Sequence, residues 1–144
     1  MTLTNTGNPR ELRIAGREVG AHIVPLGVQE EVGGSIFIVV ATDARVTARQ
    51  LGRIARRATF GLGRMGAIAS HASGDFVIAF SNSVERPDVD DAHLDPFFRG
   101  AVEATEEAII NSLLRAETMI GRDGNVRHAI PIEDLSELLT FSPG

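Results

Sequence analysis

The feature that most constrains the fold is a continuous apolar stretch that follows a pair of glycines. After Gly33 and Gly34 the sequence reads Ser35-Ile-Phe-Ile-Val-Val-Ala-Thr42. Such a run, rich in β-branched residues, is typical of a strand that is buried on both faces. The later segment Asp75-Phe-Val-Ile-Ala-Phe-Ser81 has the same character, so we predict a second core strand in the same sheet. Ser35 therefore lies at the start of a core strand.

Between these two strands the spacing of the apolar residues becomes helical. From Thr47 they recur every three or four residues with arginines between them, which predicts a helix capped by Asp43 or Thr47. The segment Gly61-Leu-Gly63-Arg-Met-Gly66 has the spacing of a dinucleotide-binding loop, but such a loop has to follow a strand and open a helix. Here the glycines come after a helix, so we interpret them as its end and not as a nucleotide site.

The remaining elements favour a layered α/β fold. One apolar stripe predicts a long helix from about Asp95 to Met119 that ends at Gly121. The segment Gly121-Arg-Asp-Gly-Asn125 has hairpin or turn composition, and Pro131 precedes a short helix. Strand, helix, strand and long helix in this order favour helices packed on a sheet over a helix bundle. The stretch before the first core strand predicts short strands and turns.

Size and composition exclude several classes of protein. The 144 residues, 43% of them apolar, fit one globular domain. The sequence has no apolar run of about 18 residues, and its first residues lack the character of a secretion signal. We therefore expect a cytoplasmic protein with no membrane partner. A formal charge of −5 argues against a general affinity for nucleic acid.

The residue types also restrict the chemistry. Because the chain has no cysteine, any nucleophile has to be a hydroxyl, an amine or a carboxylate. The four histidines have neither helix-face metal spacing nor carboxylates arranged with them as ligands, so we expect no metal site. These histidines are His22, His71, His93 and His128.

The glycines before the first core strand suggest a reaction of the backbone itself. Glycine reaches backbone angles that let a following hydroxyl approach the preceding carbonyl, so Ser35 could attack the carbonyl of Gly34. If the resulting ester is hydrolysed, Ser35 gains a free α-amino group with a pKa of about 8, which serves as a general base near neutral pH. The simpler interpretation is a strand-initial serine after a flexible turn, and composition alone favours it.

Four segments in the same order give the chain a specific resemblance to a known family. The start of the β-subunit in the DmpA family is similar to Gly34-Ser-Ile-Phe-Ile-Val-Val-Ala-Thr-Asp-Ala44. That family comprises the L-aminopeptidase/D-esterase and β-aminopeptidase enzymes of peptidase family S58. Its second β-subunit strand resembles Ser73-Gly-Asp-Phe-Val-Ile-Ala-Phe-Ser81. Its long helix resembles Thr105-Glu-Glu-Ala-Ile-Ile-Asn-Ser-Leu-Leu-Arg-Ala-Glu-Thr-Met119, and the turn after that helix resembles Gly121-Arg-Asp-Gly124.

The resemblance implies roles for individual residues. Ser35 matches the family's nucleophile, which self-cleavage after Gly34 makes the first residue of a new chain. Ser73 and Asp75 match residues that hydrogen-bond around the nucleophile, and Asn5 matches an asparagine that lines the oxyanion hole. Without the resemblance, the segment around Ser73 is interpreted as a turn and Asn5 as a residue of a disordered end.

The resemblance also implies a fold and an activity. The fold is an αββα sandwich like those of DmpA and ornithine acetyltransferase. Residues 1–34 correspond to the tail of an α-subunit and residues 35–144 to the catalytic β-subunit part. The family precursor has a long α-subunit ahead of Asn5, so only the C-terminal part of the sandwich is expected here. The implied enzyme is a serine aminopeptidase that acts on short peptides, amides or esters and needs no cofactor.

Other activities and several assemblies stay open. Related self-cleaving proteins such as ornithine acetyltransferase pass the acyl group to an amine, although serine in place of threonine at Ser35 argues against acyl transfer. The chain is also interpretable as an inactive, truncated assembly module whose exposed half-core pairs with itself or with another chain. We expect either a homo-oligomer or a complex with a separate α-subunit-like chain.

Overall fold

The fold is a small sheet with helices on one side. The structure, a computed structural model, describes residues 1–5, 7–23 and 34–140. The strands are β1 (Thr2–Thr4), β2 (Arg13–Ile14), β3 (Arg17–Glu18), β4 (Ile36–Thr42), β5 (Phe76–Ser81), β6 (Met119–Ile120) and β7 (Val126–Arg127). The helices are α1 (Gly20–Ile23), α2 (Ala48–Arg64), α3 (Asp95–Leu114) and α4 (Ile132–Thr140).

The two predicted core strands do share one sheet. β4 is its central strand, with β1 antiparallel on one side and β5 parallel on the other. Thr2 pairs with Ile38, and Phe37 pairs with Phe76. Because β4 and β5 are parallel, the chain between them has to cross over, and α2 makes that crossing. The predicted strand–helix–strand order is therefore confirmed. Gly33, the first glycine of the predicted pair, lies outside the described residues.

The helix-covered face of the sheet forms the core. Ile36 and Ile38 point to this side and are almost completely buried. They belong to a cluster that also contains Ile14, Val19, Ile23, Ala58, Leu62, Met65, Ile109 and Leu135. α2 begins with a capping box in which Thr47 and Gln50 satisfy each other's backbone N–H groups, so Thr47, and not Asp43, is the cap. The layered α/β prediction is confirmed.

The opposite face of the sheet is uncovered, which contradicts the predicted burial of both faces. Phe37 and the alternate β5 residues Phe76, Ile78 and Phe80 point away from the helices, and Phe76 is 65% exposed. In a strand, successive side chains point to opposite faces, and the described residues supply a helical layer for one face only. The prediction failed because composition shows that both sides of a strand are apolar but cannot show whether a second layer is present.

The glycine-rich end of α2 is also different from the prediction. Gly61 and Gly63 lie inside the helix, which continues to Arg64. Gly61 allows close contact with α3, since a Cβ built there would lie 2.5 Å from the Val102 carbonyl oxygen. Only Gly66, with a φ of +90°, has the left-handed conformation of a helix stop.

The long helix α3 is shorter than predicted. It ends at Leu114 and not at Met119, and Ala116, the next residue of the predicted stripe, is exposed. Met119 and Ile120 instead form β6, which pairs with β7 across the predicted turn. This hairpin and the short helix after Pro131 are confirmed. Among the helices of the described ranges, none combines the length and apolar character needed to cross a bilayer.

Candidate active site

The candidate site lies where the three strands of the central sheet come together at one end. Ser35 directly precedes β4, and the parallel register with β5 continues as a bridge between Gly34 and Ser73. The antiparallel partner β1 ends at Thr4 and brings Asn5 to the same place. The sheet thus brings together Ser35, Ser73, Asp75 and Asn5, which are far apart in the sequence.

The hydroxyl and the backbone nitrogen of Ser35 each have a specific partner. Ser35 Oγ accepts a hydrogen bond from the Gly74 N–H at 3.2 Å. The Ser35 N–H donates to Asn5 Oδ1 at 2.8 Å, and the Asn5 N–H donates to the Ser35 carbonyl at 3.0 Å. Because the Asn5 oxygen is used in this way, its NH₂ group points elsewhere and keeps its capacity to donate.

Ser73 and Asp75 form a hydrogen-bonded pair beside the nucleophile position. The Ser73 hydroxyl donates to Asp75 Oδ1 at 2.6 Å, a short distance typical of a charge-assisted bond. The same carboxylate oxygen accepts the Ile36 N–H at 3.3 Å. Asp75 is therefore tied to the backbone immediately after Ser35, while Ser73 N–H bonds the Ser70 carbonyl at 2.8 Å.

Gly74 is a site residue that the sequence analysis did not identify. Its N–H donates both to Ser35 Oγ and, at 3.3 Å, to the Gly34 carbonyl. A Cβ built on Gly74 would lie 3.1 Å from Ser35 Oγ, so the absence of a side chain leaves the hydroxyl accessible. The sequence did show a glycine between Ser73 and Asp75, but a backbone N–H donor cannot be recognised from residue type.

The arrangement combines a hydroxyl, its own backbone nitrogen and several donors. Within residues 1–5, 7–23 and 34–140, the hydrogen bond from Gly74 is the one that Ser35 Oγ makes, so no imidazole is paired with it as a base. In the same ranges, histidine and carboxylate side chains do not form any group of three suited to a metal ion.

A comparison with known protein families shows to which family the chain belongs. The model of the family described as "Peptidase family S58" matches residues 1–127. The chain belongs to peptidase family S58. This confirms the resemblance found in the sequence, although the family match by itself assigns no role to individual residues.

Named relatives give this S58 chain a more specific context. It is 37% identical over 162 residues to the β-peptidyl aminopeptidase BapA of Sphingosinicella xenopeptidilytica, covering 94% of this chain and 40% of that protein. The PH0078 protein of Pyrococcus horikoshii OT3 matches with a TM-score of 0.84 and 40% identity, over 96% of this chain and 41% of that one.

A third similar protein defines the fold. The L-aminopeptidase D-Ala-esterase/amidase of Ochrobactrum anthropi matches with a TM-score of 0.78 and 34% identity, over 96% of this chain and 42% of that one. It is described as a prototype of the serine aminopeptidases and a variant of the Ntn hydrolase fold. The S58 chain thus has part of this fold, as predicted, and spans about two fifths of the length of the relatives it matches.

Proposed function

We propose that this chain carries the serine nucleophile of an N-terminal-nucleophile aminopeptidase, and that the bond between Gly34 and Ser35 cleaves itself to release it. The observation that carries the proposal is the double anchoring of Ser35. Its hydroxyl is bound by the Gly74 N–H at 3.2 Å and its nitrogen by Asn5 Oδ1 at 2.8 Å. Nucleophile and future base are thereby held in one place, as catalysis by a single residue requires.

Self-cleavage would begin with attack of Ser35 Oγ on the Gly34 carbonyl carbon. The Gly74 N–H already donates to that carbonyl oxygen and would stabilise the negative charge that develops there. The carbon–nitrogen bond then breaks, the hydroxyl proton ends on the Ser35 nitrogen, and an ester links Gly34 to Ser35 Oγ. Water hydrolyses the ester, which leaves a carboxylate on Gly34 and a free α-amine on Ser35.

In the processed enzyme the α-amine of Ser35 would act as the general base. A free α-amine has a pKa of about 8, so a usable fraction is unprotonated near neutral pH. It would accept the Oγ proton as Oγ attacks the substrate carbonyl, and return it to the leaving amine. The Gly74 N–H and the Asn5 NH₂ group would hold the oxyanion, at about 3 kcal/mol per donor in acyl transfer.

Ser73 and Asp75 would position the new amine in our proposal. The Asp75 carboxylate is bound to Ser73 and to the Ile36 N–H, so its negative charge is fixed next to the Ser35 nitrogen. A nearby carboxylate favours the charged form of an amine, which would stabilise the protonated intermediate of each cycle.

The substrates we propose are short peptides, amides or esters with a free N-terminal amine. Support comes from the relatives, one named a β-peptidyl aminopeptidase and another an L-aminopeptidase D-Ala-esterase/amidase.

We also propose that the working enzyme needs a second protein layer on the uncovered sheet face. Phe76, Ile78 and Phe80 form a continuous exposed row there, and apolar rows of this kind usually mark an interaction surface. A second copy of the chain or a separate α-subunit-like chain would supply the layer. Without it, the chain would be the inactive module that the sequence analysis left open.

The intact mass of the purified protein tests the proposal most directly. We expect two species, residues 1–34 and residues 35–144, and a single uncut species for Ser35→Ala. Ser83→Ala, a change in a distant loop serine, should cut like the parent. The cut protein should hydrolyse an aminoacyl p-nitroanilide, releasing p-nitroaniline at a rate that falls below about pH 8 as the α-amine is protonated. An uncut parent that is indistinguishable from Ser35→Ala would contradict the proposal.

A further inference from the structure

Helix α4 is short and depends on contacts outside itself. It has nine residues, and helices of this length are marginal in isolation. The last carbonyls of any helix have no partner within it, and the last turn of α4 has no basic residue to bind them. The Thr140 hydroxyl donates to the Ser136 and Glu137 carbonyls at 2.9 and 3.1 Å, and the next two carbonyls are those of Leu138 and Leu139.

Arg17 donates to these two carbonyls from a distant part of the sequence. Its Nη1 donates to the Leu138 carbonyl at 2.9 Å and to the Leu139 carbonyl at 3.1 Å, in a partly buried position. A cation at the negative end of a helix dipole is favourable, and a charged donor makes the stronger kind of hydrogen bond. Arg17 therefore acts as a C-terminal cap for a helix more than a hundred residues away.

The hairpin that carries Arg17 is built to present it to α4. β2 and β3 are joined by a tight turn in which Ala15 and Gly16 have φ values of 52° and 76°, the signature of a two-residue hairpin turn. The neighbouring Val19 is buried in the same apolar cluster as Leu135 of α4. Cap and core contact thus hold the hairpin and α4 as one unit.

We propose that Arg17 and α4 form a clasp that keeps the two products of self-cleavage together. The inference rests on the proposed function, because cleavage after Gly34 places Arg17 on one product and α4 on the other. Asn5 is on the same product as Arg17, and it has to stay beside Ser35 for the oxyanion site to be complete. Residues 1–34 are also attached by the three residue pairs between β1 and β4 and by Ile14, Val19 and Ile23 in the apolar cluster, so the clasp is a further, polar attachment beside these.

The contact itself can be tested in a chain that cannot cut. In a Ser35→Ala background, we expect Arg17→Met to raise amide hydrogen exchange in α4 by about tenfold or more, because hydrogen bonds from a charged group are lost. Arg13→Met is the matched control, since Arg13 pairs with Glu18 within the same exposed hairpin and does not bind α4. Arg17→Lys should restore part of the protection. Equal exchange in the Arg17→Met and Arg13→Met chains would overturn the clasp.

A separate measurement tests whether the clasp retains residues 1–34 on the protein after cleavage. We expect dilute self-cut Arg17→Met to lose residues 1–34 on gel filtration several times faster than the parent or Arg13→Met, with aminopeptidase activity falling in proportion. Retention equal to that of the parent would overturn the clasp while leaving the proposed function standing. A parent that never cuts would contradict the proposed function and the clasp's role, whereas the exchange experiment would still decide whether Arg17 holds α4.

Discussion

The two faces of the central sheet have the same apolar character but different surroundings. Ile38 on the helix-covered face is 2% exposed, whereas Ile78 on the opposite face is 51% exposed. The covered face packs against helices and thereby stabilises the fold. Within the described residues, no helical layer packs against the uncovered face. Ser35 is on the uncovered side, because it is two residues before the exposed Phe37. The candidate catalytic hydroxyl therefore lies on the same face as the exposed apolar row.

The largest expected difference comes from the same substitution on the two faces. Ile38→Ala should lower the free energy of unfolding by about 2–5 kcal/mol, because it leaves a cavity among packed side chains. Ile78→Ala should cost about 1 kcal/mol or less, since its side chain is half in solvent already. Urea unfolding followed by circular dichroism measures both. If Ile78→Ala costs as much as Ile38→Ala, the second face is covered in solution, and light scattering would show by how many chains.

A smaller effect is expected from two glycines at the end of α2. Gly61→Ala should lower the free energy of unfolding by about 1–3 kcal/mol, because its Cβ would meet the Val102 carbonyl of α3. Gly63→Ala should raise it by about 0.5–1 kcal/mol, because no atom lies within 4 Å of the new Cβ and alanine favours helix. Opposite signs in thermal unfolding would confirm that the covered face depends on close contact of α2 and α3. The same sign for both would refute it.

The smallest expected effect concerns Asp91, which binds the side chains of Arg49 and Gln50 on α2. Hydrogen bonds from Arg49 and then Gln50 hold the pKa of Asp91 below its ordinary value of 3.8. A depressed pKa means that Asp91 stabilises the fold above that value, and that the contribution is lost as the pH falls through the folded pKa. Asp91→Asn should therefore lower the urea midpoint slightly at pH 7, and the difference should start to shrink near pH 3.8 and disappear as the pH falls through the lower pKa of the folded state. Asp43→Asn, which removes a carboxylate at an exposed position, is the matched control.

The candidate site was predictable in its members but not in its geometry. Family resemblance pointed to Ser35, Ser73, Asp75 and Asn5, and the register of the sheet places them side by side. Their catalytic roles stay predictions, as do the cytoplasmic location, the oligomeric state and the division at Gly34. The sequence analysis did not identify Gly74, because this residue contributes a backbone N–H and every residue except proline has one.

The sequence by itself determined which segments form strands and helices, because periodicity and β-branching act locally. It also determined that no thiol chemistry is possible. Tertiary structure decided where Gly61 sits, where α3 ends and which face of β4 is covered. Each of these depends on what another segment places beside the residue, and a contact between distant segments is not encoded in either segment alone. The Arg17 cap on α4 is the clearest case, since neither end of the sequence indicates that it needs the other.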